Sequence, residues 1–415
     1  MYKLCEDTRA ILSEAIEAVL PEAAVKKALI RHPEIKDAMV VAIGKAAWRM
    51  ARAAVDVLGE KVSGGIVITK YGHSLGVIPG LVIRESGHPV PDESGVSAAR
   101  EALQMVEGLT SAQTVVFLVS GGGSALFELP LPGVTLSDIA DMTKQLLACG
   151  AGIVEINTLR KHLSQVKGGR FALHCQPAQV LSIVLSDVLG DPLDSIASGP
   201  AYPDSSTGKD AMEIVRRYDL HLPPQLLNKL QEETPKALPN VLTEVTGNVQ
   251  ALCQAAMEAA GKRGYAPLLL STTLDIEARE AGGMLAAMAR QVRLDGQPVK
   301  PPCAIIMGGE TVVHLRGQGK GGRNQELALA AAKGIDGLSN VAVVSVGSDG
   351  TDGPTDAAGG LVTGEFAARL REMNISIDDC LNENDSYHAL SAAGGLLVTG
   401  PTGTNVNDLM MVLCG

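Results

Sequence analysis

Short apolar runs alternate along the chain with longer stretches in which alanine and leucine recur at helical spacing. The runs predict strands over residues 40–44, 65–69, 114–120, 180–187, 267–271, 304–308, 341–347 and 396–399. Several are near-continuous Val, Ile and Leu, the pattern of parallel strands covered on both faces. Between them, residues 46–58, 94–108 and 248–263 read as helices. This alternation predicts an α/β protein with parallel sheets. Proline and polar punctuation over residues 223–239 marks a boundary, giving domains over 1–235 and 236–415.

Composition narrows the class. A chain of 415 residues suits two domains with substantial cores. Its 46% hydrophobic and 20% charged residues are those of a folded soluble protein. The net charge of -11 argues against nucleic acid, which needs a basic face. No apolar run reaches membrane-spanning length, and the start lacks a basic then apolar leader, so a cytoplasmic protein is expected. The seven cysteines are scattered without a CxxC pair, which favours small buried hydrophobes over zinc or disulfides. The 46 glycines gather at strand ends, where α/β sheets bind ligands.

Five of these strand ends carry candidate chemistry. Gly317–Gly322 contains Gly319, Lys320, Gly321 and Gly322 and runs into Arg323 at a helix start. The segment 311–316 before it reads as a short strand. Glycines let backbone N–H groups approach an anion, and Lys320 and Arg323 add two full cations. That suits a phosphate-bearing ligand. Lys45 follows the first strand, as a phosphate-binding point charge or a solvated lysine. Gly121, Gly122, Gly123 and Ser124 follow the strand at 114–120, as an anion nest or a tight turn. Asp187 ends another strand, as a Mg²⁺ ligand, a proton acceptor or a cap. The loop 347–356 holds Asp349, Asp352 and Asp356, as a Mg²⁺ or hydroxyl site or a self-capped turn. The stretch 157–170 is cationic, and Arg160 and Lys167 would share one helical face, which is most simply a solvated one.

Two patterns compete. Gly317, Gly319 and Gly322 match the dinucleotide fingerprint, which would make a nicotinamide site. Gly72-His73-Ser74-Leu75-Gly76 matches the hydrolase elbow, but Pro79 follows where a helix is required. No phosphate-binding GxxxxGK[ST] occurs.

Taken together, ten segments stand in order along the chain. They are Ile43-Gly-Lys45-Ala-Ala-Trp, Ser86-Gly-His88-Pro-Val-Pro-Asp92, Val119-Ser-Gly-Gly-Gly-Ser124, Asn157-Thr-Leu-Arg160-Lys161, Ser186-Asp187-Val, Ala197-Ser-Gly-Pro200, Gly309-Glu310-Thr, Gly319-Lys-Gly-Gly-Arg323-Asn-Gln-Glu326, Gly350-Thr-Asp352-Gly-Pro-Thr-Asp356 and Asn405-Val-Asn407-Asp408. This set resembles the glycerate 2-kinases with a MOFRL C-terminal domain. The resemblance implies ATP- and Mg²⁺-dependent phosphorylation of D-glycerate to 2-phosphoglycerate. It implies a larger Rossmann-like N-terminal domain, a smaller C-terminal α/β domain and an active site in the cleft between them. The family's implicated lysine and arginine fall on Lys45 and Arg323. Asn157, Arg160, Asp352 and Asn405 stand as candidate substrate contacts. Members also carry the name hydroxypyruvate reductase, so an NAD(P)H-dependent reductase is the alternative. A homodimer is compatible with the sequence.

Overall fold

Val40, Val41, Ala42 and Ile43 are fully enclosed, and they form the middle of a six-stranded sheet. The structure is a computed structural model that describes residues 2–186 and 193–415. The first sheet contains β1 (Ala38–Ile43), β2 (Val62–Lys70), β3 (Val82–Ser86), β4 (Thr114–Val119), β5 (Gln179–Leu185) and β6 (Val241–Gly247). The second contains β7 (Ala266–Leu274), β8 (Cys303–Gly309), β9 (Val341–Gly347), β10 (Gly359–Thr363), β11 (Leu396–Leu397) and β12 (Asp408–Cys414). The described residues form two compact units: residues 21–186 with 193–246, and residues up to 20 with 247–415.

The first unit has strand order β3-β2-β1-β4-β5-β6, with β1 to β5 paired in parallel. This is the order of a doubly wound, Rossmann-type sheet. The helix Ala47–Leu58 lays Met50, Ala51 and Ala54 on the same apolar cluster as Val40 and Val116. Chain order reverses between β1 and β4, so the turns that follow these two strands border the crevice where such sheets bind ligands.

The second unit has order β11-β10-β9-β12-β8-β7. Parallel pairing, expected throughout, holds here only between β7 and β8. β12 runs antiparallel to both β8 and β9, and β10 runs antiparallel to β9. The physical reason is connectivity. No helix crosses over between β9 and β10, and a direct loop joins antiparallel neighbours.

Two expectations meet a different arrangement. The helix Tyr2–Ala18 places Leu4, Ile11, Leu12 and Ala15 in one cluster with Leu252, Ala256, Leu409 and Met411. Its apolar stripe thus belongs to the second unit, although the chain reaches the first unit immediately afterwards. The expected strand over 311–316 does not form; Val312 alone makes a bridge, to Glu277. Leu315 and Val312 are exposed, so the segment lacks a covered face to pair on.

Candidate functional site

β1 and β4 end side by side, and their turns interlock. The N–H of Lys45 donates to the carbonyl of Gly121 at 2.9 Å, and that of Ser120 to Ile43 at 3.0 Å. The Ser120 hydroxyl accepts from Ala46 N–H at 3.1 Å. A Cβ on Gly44 would stand 2.2 Å from Ser120 Oγ, so only glycine fits there. Gly122 has φ +85°, and its Cα faces the His88 ring and the Lys45 stem: a Cβ there would lie 3.0 and 3.3 Å from them. Lys45 itself is exposed. Burial, and then Lys45, Lys70 and His73, push His88 below the ordinary histidine range. Gly123 packs against Ala197, where a Cβ would come within 2.7 Å. The Ser124 hydroxyl meets that of Ser198 at 3.0 Å, and Ser198 donates to Asn157 Oδ1 at 3.2 Å. The structure therefore brings Lys45, Gly121–Ser124, His88 and Asn157 to one neighbourhood.

The cationic stretch is not a solvated face. The helix Ile153–His162 stops before Lys167, so Arg160 and Lys167 do not share a helical face. Lys167 is completely buried. Its ammonium donates to the carbonyls of Ser124 and Phe127, both at 2.8 Å, and pairs with Glu128 at 3.3 Å. It is a strut under the glycine turn. Burial pulls its pKa down, with Glu128 opposing. Lys161 is likewise buried, held by Asp204 at 3.0 Å and Asp194 at 3.2 Å.

In the second unit Arg323 opens the helix Arg323–Gly334. Asp408, the first residue of β12, grips it in a fork, Nε to Oδ2 at 2.5 Å and Nη2 to Oδ1 at 3.0 Å. Glu310, just beyond β8, takes Nη1 at 3.0 Å. Two of the five guanidinium N–H groups are bonded to Asp408, and Nη1 is ion-paired with Glu310, so N–H groups remain for a ligand. Burial works to lower the Arg323 pKa, but Asp408 and Glu310 more than offset it and raise it.

The glycine run before Arg323 corrects the expected anion nest. Asn384 Oδ1 accepts from the N–H groups of Arg316 and Gly317, Glu383 O from Gly319, and Asp385 Oδ1 from Lys320. Cβ atoms on Gly319, Gly321 and Gly322 would strike Asp385, Ser386 and the Asp352 carboxylate at 2.5, 2.2 and 2.3 Å. These glycines admit neighbouring chain rather than phosphate. The helix start is also occupied: Asp352 accepts from the N–H groups of Asn324 at 3.1 Å and Gln325 at 2.9 Å. Asp352 is an intramolecular cap, buried with its pKa pushed up to about 6, chiefly by burial. Lys320 keeps its charge near the surface, 4.2 Å above the Tyr387 ring. The dinucleotide reading weakens with the nest, since Gly317 follows no strand tip.

Asn405 is exposed in the loop before β12. Asp187 lies outside the described residues. Among the described residues, no group of three or more His, Cys, Asp or Glu side chains is placed to hold a metal ion, and no helix is long and apolar enough to cross a membrane. The sequence reading did not single out Asp408, Glu310, His88 or Lys167 as site residues. Three of the four stand inside the ordered segments quoted above.

Residues 7–231 match the family profile of a domain of unknown function (DUF4147), and residues 303–408 match the MOFRL family. The D-glycerate 2-kinase of Thermotoga maritima is 53% identical over 97% of this chain and 96% of its own length. The chain belongs to the glycerate 2-kinase family. A crystal structure of a glycerate kinase from Thermotoga maritima, 51% identical, covers 100% of both chains with a TM-score of 0.98. An Agrobacterium vitis relative that carries the name hydroxypyruvate reductase is 41% identical over 98% of this chain and 94% of its own. The family thus holds both names.

Proposed function

We propose that the chain transfers the γ-phosphoryl group of ATP to the 2-hydroxyl of D-glycerate, releasing ADP and 2-phosphoglycerate. One observation carries this reading. In a chain so close to a D-glycerate 2-kinase, exposed Lys45 stands against Gly122 where the strand order reverses. Phosphoryl transfer needs positioning and charge neutralisation more than covalent help. Lys45 supplies a point charge, and the Gly121–Ser124 turn supplies a surface without side chains on which phosphates can lie. The Lys167 strut keeps that turn rigid.

Arg323 supplies the second cation. Its remaining N–H groups are aimed by Asp408 and Glu310, and Lys320 adds charge nearby. Glycines 319 and 321 act by letting the segment 383–386 seat against the loop, and Gly322 by admitting the Asp352 carboxylate. Asp352 acts by capping the helix that carries Arg323. Asn157 and Asn405 are the proposed glycerate contacts. Mg²⁺ enters with the nucleotide as part of the substrate. Asp187 is its proposed protein contact, or the acceptor of the hydroxyl proton. Mg²⁺ typically keeps several waters and needs only one or two protein carboxylates. The working form is proposed to be a cytoplasmic enzyme, as a homodimer that light scattering would detect.

The test is direct. The purified protein is incubated with Mg²⁺-ATP and D-glycerate and followed by phosphorus NMR. A monoester signal coupled to the C2 proton, growing with ADP, supports the reading. NADH oxidation with hydroxypyruvate and no new monoester would replace it with the reductase.

A further inference from the structure

A pocket of about 540 Å³ opens beside Gly122 and Ser124, within the first unit. Its apolar lining comes from Val90 and Pro91 and from Ile139, Ala140 and Leu147 of the helix Leu136–Ala148. Val90 and Leu147 of this lining are 67% and 62% exposed. The polar lining is sparse: Glu128, Thr143, Lys144 and Arg160, with His88 at the glycine turn.

Two of these groups are incompletely used. Glu128 is buried; its Oε2 is held by Lys167, while its Oε1 has no partner in the chain. That oxygen is closed off from solvent and so is not part of the open pocket surface. Arg160 reaches Thr143 through Nε at 3.4 Å, and among the described residues its two Nη groups have no hydrogen-bond partner. The pocket therefore offers apolar walls and a guanidinium able to stack or donate.

D-glycerate does not match this chemistry. It is a three-carbon acid with no apolar face. A purine does: its faces are apolar, and its edge mixes a donor with acceptors. The geometry points to this pocket as the seat of the adenine base, with the adjoining Gly121–Ser124 turn under the phosphates. The inference rests on the kinase reading above and adds to it where the base lies.

Ala140 is an exposed residue of the lining, so Ala140→Trp fills the pocket without disturbing a core. Leu147→Trp does the same from the next turns of that helix. The expected result is a rise of about tenfold or more in KM for ATP, because shape is what an apolar pocket reads. KM for D-glycerate and inhibition by inorganic tripolyphosphate, which has no base, stay unchanged. In parallel, saturation-transfer NMR with adenosine shows H2 and H8 contacts in wild type that both variants lose. Unchanged ATP KM in both folded variants overturns the inference. A rise in the D-glycerate KM instead reassigns the pocket to the acceptor. If wild type shows no turnover but adenosine contacts vanish in the variants, the kinase reading fails and the pocket assignment stands.

Discussion

Asp408 holds Arg323 by two parallel hydrogen bonds, and it does so from a fully enclosed position on β12. A planar fork fixes both the place and the plane of the guanidinium. Arg323→Ala should lower kcat by roughly 10³-fold if the cation neutralises the transferred phosphoryl. Asp408→Asn keeps the volume and loosens the aim, so kcat should fall by roughly 10²-fold with KM for ATP little changed. Equal kcat in Asp408→Asn and wild type, with both folded, would remove Asp408 as a positioning residue.

Lys45 is exposed, its backbone N–H is anchored to Gly121, and among the described residues its ammonium makes no hydrogen bond. Lys45→Met should therefore leave the thermal midpoint where it is. Turnover should drop on the order of 10³-fold. A drop in midpoint alongside activity would show a structural role instead.

Lys167 and Glu128 are a buried pair. Lys167→Met strands the Glu128 carboxylate and should cost about 3–5 kcal/mol in denaturant unfolding. Adding Glu128→Gln should recover part of that loss. Full additivity of the two changes would mean the groups are not coupled.

Asp352 sits at a folded-state pKa of about 6, raised mainly by burial, eased by bonds from Gln325 and Asn324 and reinforced by Asp408. A carboxyl that binds its proton more tightly when folded favours the native state below its unfolded pKa of about 3.9. That contribution falls as pH rises to about 6 and is level above it. The stability of wild type relative to Asp352→Asn should show this slope. A carbon-13 titration of the Asp352 carboxyl with a midpoint near 4 would contradict it.

The sequence makes β1 and β4 legible because their Val and Ile runs are covered on both faces, and with them the turns bearing Lys45 and Gly122. It hides what long-range contacts decide. Arg323 and Asp408 are 85 residues apart, and nothing local marks Asp408 as the partner. Lys167 looks solvated because charge is normally exposed; only the fold shows the carbonyls that receive it. The run 317–322 reads as an anion nest because glycine frees backbone N–H groups. Asn384, Glu383 and Asp385 claim those groups from a distant segment. Asp352 likewise takes the helix start that an anion would use.

The strand β12 also orders events in time. It fills the middle of its sheet, so β7 and β8 remain separate from β9 to β11 until it arrives. The helix Tyr2–Ala18, made well before β12, waits for cluster partners that include Leu409 and Met411. Residues 21–186 and 193–246 form a unit that includes neither, and on the ribosome, where units fold as they emerge, that unit can close early. The unit that carries Arg323 closes last, and the same strand that completes its core delivers Asp408. Arg323 thus receives its aiming partner only when its own domain is finished.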